Sequence, residues 1–237
     1  MKIIIISVMC LFIFTNCLSA QVIDEFNSPN LDKKLWEMKK VGKASYEVKD
    51  GVLTMSSPSV ESGIILYHPR NIVDMDITFE IKLNTAGLVD NIVCGSLAEI
   101  MEPQLNDNIN NNLEASLFFI VDKCYVKQDP VVIGQKPPNP AGMEGQYEKN
   151  GWNIVQITFS KSKGKVTFVV NGKIIGEVDI NKDVKQRFFF ITSDPYTSHY
   201  TGEVKIEYVK FSGPGALSLA VVKTDKLTIT WAKLKIN

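Results

Sequence analysis

The residues whose spacing first suggests chemistry are two glutamates in the stretch GSLAEIMEP, residues 95 to 103: Glu99 and Glu102. Two nearby carboxylates can split their pKa values, so that one serves as an acid and the other as a base or nucleophile. Their odd spacing is the obstacle. On a regular strand side chains alternate faces with period two, and residues three apart point opposite ways. Only an inserted bulge brings both carboxylates to one face. The pair is therefore either a working couple across a bulge or two solvated acids.

A second set of side chains suits sugar binding, in which aromatic rings stack on the apolar faces of pyranoses beside hydrogen-bonding groups. SDPYTSHYTG, residues 193 to 202, carries Tyr196, His199 and Tyr200 among turn residues, and LYHPR, residues 66 to 70, carries Tyr67, His68 and Arg70. The plainer reading of each group is a loop whose rings fold back on the protein. Trp36, Trp152 and Trp231 lie in strand-like runs and read as core. His68 and His199 are the only histidines, and two histidines without a third ligand make no metal centre. No local signature pairs a serine or cysteine nucleophile with a histidine.

The elements that must position these residues are strands. Short β-branched and aromatic runs recur along the chain, among them YEVKDGVLTM, SGIILYH, DMDITFEIKL, ASLFFIVD, NIVQITFS, KVTFVVNGKIIGEVDI, QRFFFITS, EVKIEYVKF and KLTITWAKLKI. Asn171-Gly172 and Asp50-Gly51 each separate two such runs and predict tight hairpins. The pattern predicts an all-β fold, a two-sheet antiparallel β-sandwich of jelly-roll type. Irregular stretches cover residues 102–114 and 128–151. The run after Gly213-Pro-Gly215 is too short for another domain and reads as a final strand pair packing back on the sandwich.

The chain has 237 residues, 45% hydrophobic and 22% charged, enough for one sizeable core. Residues 1–20 join a basic start at Lys2 to the apolar run IIIISVMCLFIF and then TNCLSA, the form of a secretory signal peptide. The run is short for a membrane span. The expectation is a single exported domain over residues 21–237, secreted or periplasmic and without a membrane span. Cys17 as a lipid-anchored residue is the minor alternative, in a poor lipobox. Removing Lys2 with the leader leaves one more acidic than basic side chain. That balance, with no basic patch, argues against nucleic acid as partner. Cys94 and Cys124 remain after the leader. Export permits a disulfide between them, and two buried thiols are the other reading. Oligomeric state is not legible.

IDEFNSPNLDKKLWE, VKDGVLTM, ESGIILYH, ITFEIKLNTAG, GSLAEIMEP and VKIEYVKF occur in an order that resembles the concanavalin A-like sandwiches, and among them the family 16 glycoside hydrolases. YEVKDGVLTM and NGWNIVQITFSKSKGKVTFVVNGKIIGEV are also similar to 3-keto-disaccharide hydrolase and laminin G-like domains. The family 16 pattern is Glu-x-Asp-x-x-Glu: nucleophile, assisting acid, acid/base. The resemblance lays Glu102 on the acid/base place, Glu99 on the assisting place and Leu97 on the nucleophile place. Leucine cannot form a glycosyl-enzyme intermediate. The resemblance implies a carbohydrate-binding, lectin-like protein for a polysaccharide or glycan, without that catalysis. The alternatives are a glycoside hydrolase, family 16-like or 3-keto-disaccharide hydrolase-like, and a laminin G-like protein-interaction module. No organic cofactor is implied. A structural calcium is, through Glu25, Gly51 and Glu207, with glutamate at 207 where the family has aspartate.

Overall fold

A computed structural model describes residues 21–59, 62–69, 75–85, 92–98, 113–120, 123–128, 144–179, 187–193 and 202–216. In chain order the strands are β1 (Gln21–Asp24), β2 (Glu37–Val41), β3 (Ser45–Lys49), β4 (Val52–Ser57), β5 (Gly63–Tyr67), β6 (Ile77–Asn84), β7 (Ile92–Ala98) and β8 (Leu113–Ile120). There follow β9 (Lys123–Gln128), β10 (Glu144–Gly145), β11 (Trp152–Ser160), β12 (Lys165–Val170), β13 (Lys173–Asp179), β14 (Arg187–Ser193) and β15 (Gly202–Ser212).

They form two antiparallel sheets. One has the order β13-β12-β11-β6-β15-β4-β3, with β1 also on β15; the other has the order β10-β9-β8-β7-β14-β5-β2. Strands close in sequence often lie in different sheets, as in a jelly roll rather than a meander. Both predicted hairpins are present. Asp50 and Gly51 join β3 to β4 with φ of 52° and 74°, and Asn171 and Gly172 join β12 to β13 with φ of 49° and 78°. Positive φ at both central positions is what a type I′ turn demands and what Asn-Gly and Asp-Gly supply cheaply.

Alternation builds the core. In ITFEIKLN, β6 buries Ile77, Phe79, Ile81 and Leu83 and turns Thr78, Glu80, Lys82 and Asn84 outward. Phe79 meets Phe159 and Phe211 edge-on at 5.5 and 5.2 Å between ring centres. Each such buried side chain contributes roughly 1.5–3 kcal/mol. Trp36 closes one end of the core at 2% exposure, as its strand pattern predicts. Its indole N–H donates to Asp24 Oδ2 at 2.7 Å, and its ring tilts against Phe211.

The thiols settle as the second of the two readings. Cys94 and Cys124 are free and buried. They lie on β7 and β9 with β8 between them, so two strand spacings separate their backbones by roughly 10 Å, too far for a disulfide. Burial raises the Cys124 thiol to about 11, and burial with the neighbouring Cys124 holds Cys94 higher still.

The edge strand β13 is irregular. Its pairing with β12 shifts so that Phe168 faces Gly176 and Val169 faces Ile174, leaving Ile175 as the extra residue. Ile175 turns inward, and the absence of a side chain at Gly145 makes room for it. Ile174 stands outward at 72% exposure. Among the described residues no helix is long and apolar enough to cross a membrane.

Candidate functional site

The strand that opens GSLAEIMEP is β7, in the middle of the seven-stranded sheet. Its alternate residues Ile92 and Cys94 enter the core with Ile64, Leu66, Leu117, Phe119, Cys124 and Val126. The other phase therefore makes the outward face of this sheet. The register writes that face as two ranks running across the strands. One holds Glu37, Tyr67, Gly95 and Ser116; the next holds Lys39, Ile65, Phe118 and Tyr125, ending at Glu144. Leu97 of the motif pairs through its backbone with Phe188 of β14.

The middle of this face is closed and its banks are open. Ile65 and Ser116 are 0% exposed and Phe118 is 2% exposed. Phe118 stacks flat on its cross-strand partner Tyr125, with ring centres 5.0 Å apart and planes 10° apart. The Ser116 hydroxyl has no hydrogen-bond partner among the described residues. On one bank the Tyr67 hydroxyl donates to Glu37 Oε2 at 2.8 Å. On the other, Lys123 Nζ meets Glu144 Oε1 at 2.6 Å. The banks thus offer the exposed acids Glu37 and Glu144 and the half-buried Tyr125 and Lys123, with Tyr67 buried behind Glu37.

The motif strand itself has two local features. A Cβ at Gly95 would come within 2.2 Å of the Ala115 carbonyl oxygen, so the close approach of β7 to β8 requires glycine there. The pairing then shifts: Ser96 faces Ala115 but Leu97 faces Leu113, leaving Glu114 of β8 unopposed. A bulge therefore does occur at the start of the motif, but on the partner strand. Glu99 and Glu102 lie outside the described residues, as do Arg70, Tyr196, His199, Tyr200 and Trp231.

The structure separates Tyr67 from His68, which the sequence grouped. Tyr67 belongs to the outward face. His68 is 1% exposed on the core side, its ring edge toward Phe211 at 5.8 Å. Adjacent strand residues point to opposite faces, so the two cannot line one surface. Trp152 also departs from expectation. It is 38% exposed on the outer face of the other sheet, with Lys82 Nζ 5.4 Å from its ring centre. The phase set by Val155, Ile157 and Phe159, all buried, turns Trp152 out and turns Asn153 in.

The positions considered for calcium are partly assembled. Gly51 lies beside the Glu25 carbonyl oxygen, 3.7 Å from where its Cβ would be. Glu207 is the unopposed residue of a bulge in β15, since Ile206 faces Leu83 and Tyr208 faces Lys82. Its carboxylate pairs with Lys82 Nζ at 2.5 Å. Among the described residues no three acids, histidines or cysteines gather as a metal cluster. The residues present fit a calcium only incompletely: main-chain oxygens are at hand, but the Glu207 carboxylate is taken by Lys82 and that of Glu25 accepts from the Asn27 side chain.

Four residues of the outward face escape a sequence reading: Glu37, Ser116, Phe118 and Tyr125. Their only signal is alternation, which shows that Phe118 and Tyr125 share a face only once the β8–β9 register is known.

No family model matches the chain, and no curated protein matches it. Solved structures do. The Emp47p carbohydrate recognition domain superposes with a TM-score of 0.58 at 13% identity, covering 82% of this chain and 95% of that one. The VIP36 exoplasmic/lumenal domain, in a Ca2+/Man3GlcNAc-bound form, gives 0.55 at 11% identity, covering 82% and 88%. A laminarinase from Flavobacterium sp. UMI-01 gives 0.54 at 11% identity, covering 81% and 98%. At these identities the likeness speaks to fold alone: the chain has a two-sheet, concanavalin A-like jelly-roll sandwich.

Proposed function

We propose that the protein is an exported carbohydrate-binding β-sandwich whose ligand, a polysaccharide or glycan, lies against the outward face of the seven-stranded sheet. The observation that carries this reading is the make-up of that face. Exposed Glu37, held by the buried Tyr67, and half-buried Tyr125, backed by Phe118, put a hydrogen-bonding group and a ring on one surface, the combination that sugars require. The fold's occurrence in a carbohydrate recognition domain and a laminarinase supports it. Retaining hydrolysis of the family 16 kind is absent from this reading, because Leu97 holds the nucleophile place. The leader at residues 1–20 supports export, with residues 21–237 as one domain. A structural calcium would use the main-chain oxygens at Glu25 and Gly51 and would draw Glu207 away from Lys82.

A polysaccharide binding and hydrolysis screen on the chain from Gln21 tests the reading. Retention on at least one glycan without release of product supports it. Release of product from any glycan, or retention on none, overturns it.

A further inference from the structure

Resting on the carbohydrate-binding reading, we infer that Glu37, held in place by Tyr67, sets the specificity of the face. It selects neutral sugars that present free hydroxyls and rejects sugars that carry carboxylate or sulfate groups there. Three observations converge on this acid. Glu37 begins β2, an edge strand of the seven-stranded sheet among the described residues, and its side chain is exposed. It is directly opposite Tyr67 in the register, so its carboxylate belongs to the outward face. The Tyr67 hydroxyl, on a ring only 8% exposed, donates to Oε2 at 2.8 Å. Oε1 has no partner among the described residues.

The chemistry of this arrangement is directional. An ionised carboxylate only accepts hydrogen bonds, and a sugar hydroxyl can donate one. With one oxygen fixed by a packed tyrosine, the other is aimed before the ligand arrives, so little side-chain entropy remains to be lost on binding. An anionic group at the same place meets like charge with no donor to offer. Among the described residues, three others stand near it in the register. Lys39 is next in phase on β2, Tyr67 faces Glu37 from β5, and Ile65 beside Tyr67 is apolar. Lys39 thus stands one pleat away, and the Tyr67 hydroxyl donates to the acid.

Calorimetric titration of the full chain from Gln21 tests this. The probes are neutral glucan, mannan and galactan hexasaccharides, set beside oligoalginate and heparin hexasaccharides. The expected result is binding of at least one neutral probe and of neither anionic one. Glu37→Gln should weaken the neutral probe about ten- to a hundredfold, the range for loss of a charged hydrogen-bond acceptor. Tyr67→Phe should weaken it by a smaller factor, because the acid stays but loses its orientation. Glu37→Lys should abolish neutral binding. Melting curves matched to the parent show that each variant is folded; Glu37, being exposed, can be replaced without disturbing the core. Neutral binding that is unchanged in Glu37→Gln and Glu37→Lys overturns the inference and leaves the glycan reading standing. Equal binding of anionic probes also overturns it. No binding of any probe by the parent overturns the glycan reading itself.

Discussion

Trp36 immediately precedes Glu37, so whatever fixes Trp36 also fixes the start of the strand that carries the proposed ligand-binding acid. Two contacts fix it. Its ring is buried against Phe211, and its indole N–H donates to Asp24 Oδ2 at 2.7 Å. Asp24 is itself held, since Oδ1 accepts the Phe26 amide at 3.0 Å in a tight local turn with Phe26 at positive φ. Trp36→Phe keeps most of the apolar burial and removes the donor. A hydrogen bond to a charged acceptor contributes about 1.5–3 kcal/mol, and the half-buried position of Asp24 puts the figure near 1.5. The smaller ring adds about 1 kcal/mol for lost packing. Trp36→Phe should therefore destabilise by about 2.5 kcal/mol, lowering the melting midpoint by roughly 5–10 °C for a chain of this size. Asp24→Ala should cost about as much, because it also frees the Phe26 amide. The decisive quantity is the coupling in the double-mutant cycle, expected near 1.5 kcal/mol. Urea unfolding followed by far-UV circular dichroism avoids the change in tryptophan signal. A coupling below about 0.5 kcal/mol would mean that the Asp24–Trp36 bond does not hold the start of β2, and the positional argument would be wrong.

Other expectations follow from features of the core and the outer faces. Cys94 and Cys124 should resist iodoacetamide at pH 8 in the folded chain and both react in urea, and a reducing agent should leave the melting temperature unchanged; a drop would mean a disulfide. Burial raises the Glu80 pKa, but hydrogen bonds from Gln156 and Tyr208 and the charge of Lys210 outweigh it and hold the carboxyl below its ordinary 4.5. Its contribution is thus present above about pH 4.5 and lost as pH falls through the lower folded value; Glu80→Gln should flatten that limb of an acid titration, and an unaltered limb would count against the network. Asn153, 0% exposed, accepts from the Glu148 amide at 2.7 Å and from Asn171 Nδ2 at 2.9 Å, and donates to the Glu148 and Gly151 carbonyls. Asn153→Ala should cost about 2–4 kcal/mol in urea titration, and a loss under 1 kcal/mol would show that water replaces these bonds readily. Millimolar calcium should raise the melting temperature of the parent and not of Glu207→Ala; no rise in the parent removes the calcium proposal.

What the sequence reveals here is what short-range chemistry decides. Asn171-Gly172 and Asp50-Gly51 are legible because positive φ is a local demand, met by those residue types wherever they stand. Alternation in ITFEIKLN is legible because one face of β6 is water and the other is core. Trp152 was legible in principle: the phase of Val155, Ile157 and Phe159 turns it outward. Reading it by hydrophobicity misses that Asn153 is inside because its hydrogen bonds are all made. The cysteines were not legible, since their separation depends on β8 lying between β7 and β9, a fact of topology. Glu37 was not legible for the same reason, its partner Tyr67 being on another strand. Tyr67 and His68 read as neighbours in a line of text and belong to different environments in space.

The displaced residue in β13 has a consequence for how this protein behaves at high concentration. Among the described residues the eight-stranded sheet ends at β13, and an edge strand presents a row of unpaired amides and carbonyls, a template on which another chain can polymerise. A straight, apolar β13 would be such a template, and its KII run is rich in β-branched residues. Ile175, turned inward as the odd residue out, breaks the even spacing of that row. Glu177 and Asp179, both exposed, put charge along the rest of it. The opposite sheet ends in β10, a strand of only two residues. Removing Ile175 to regularise the strand should therefore favour growth of fibrils rather than a better-ordered sandwich.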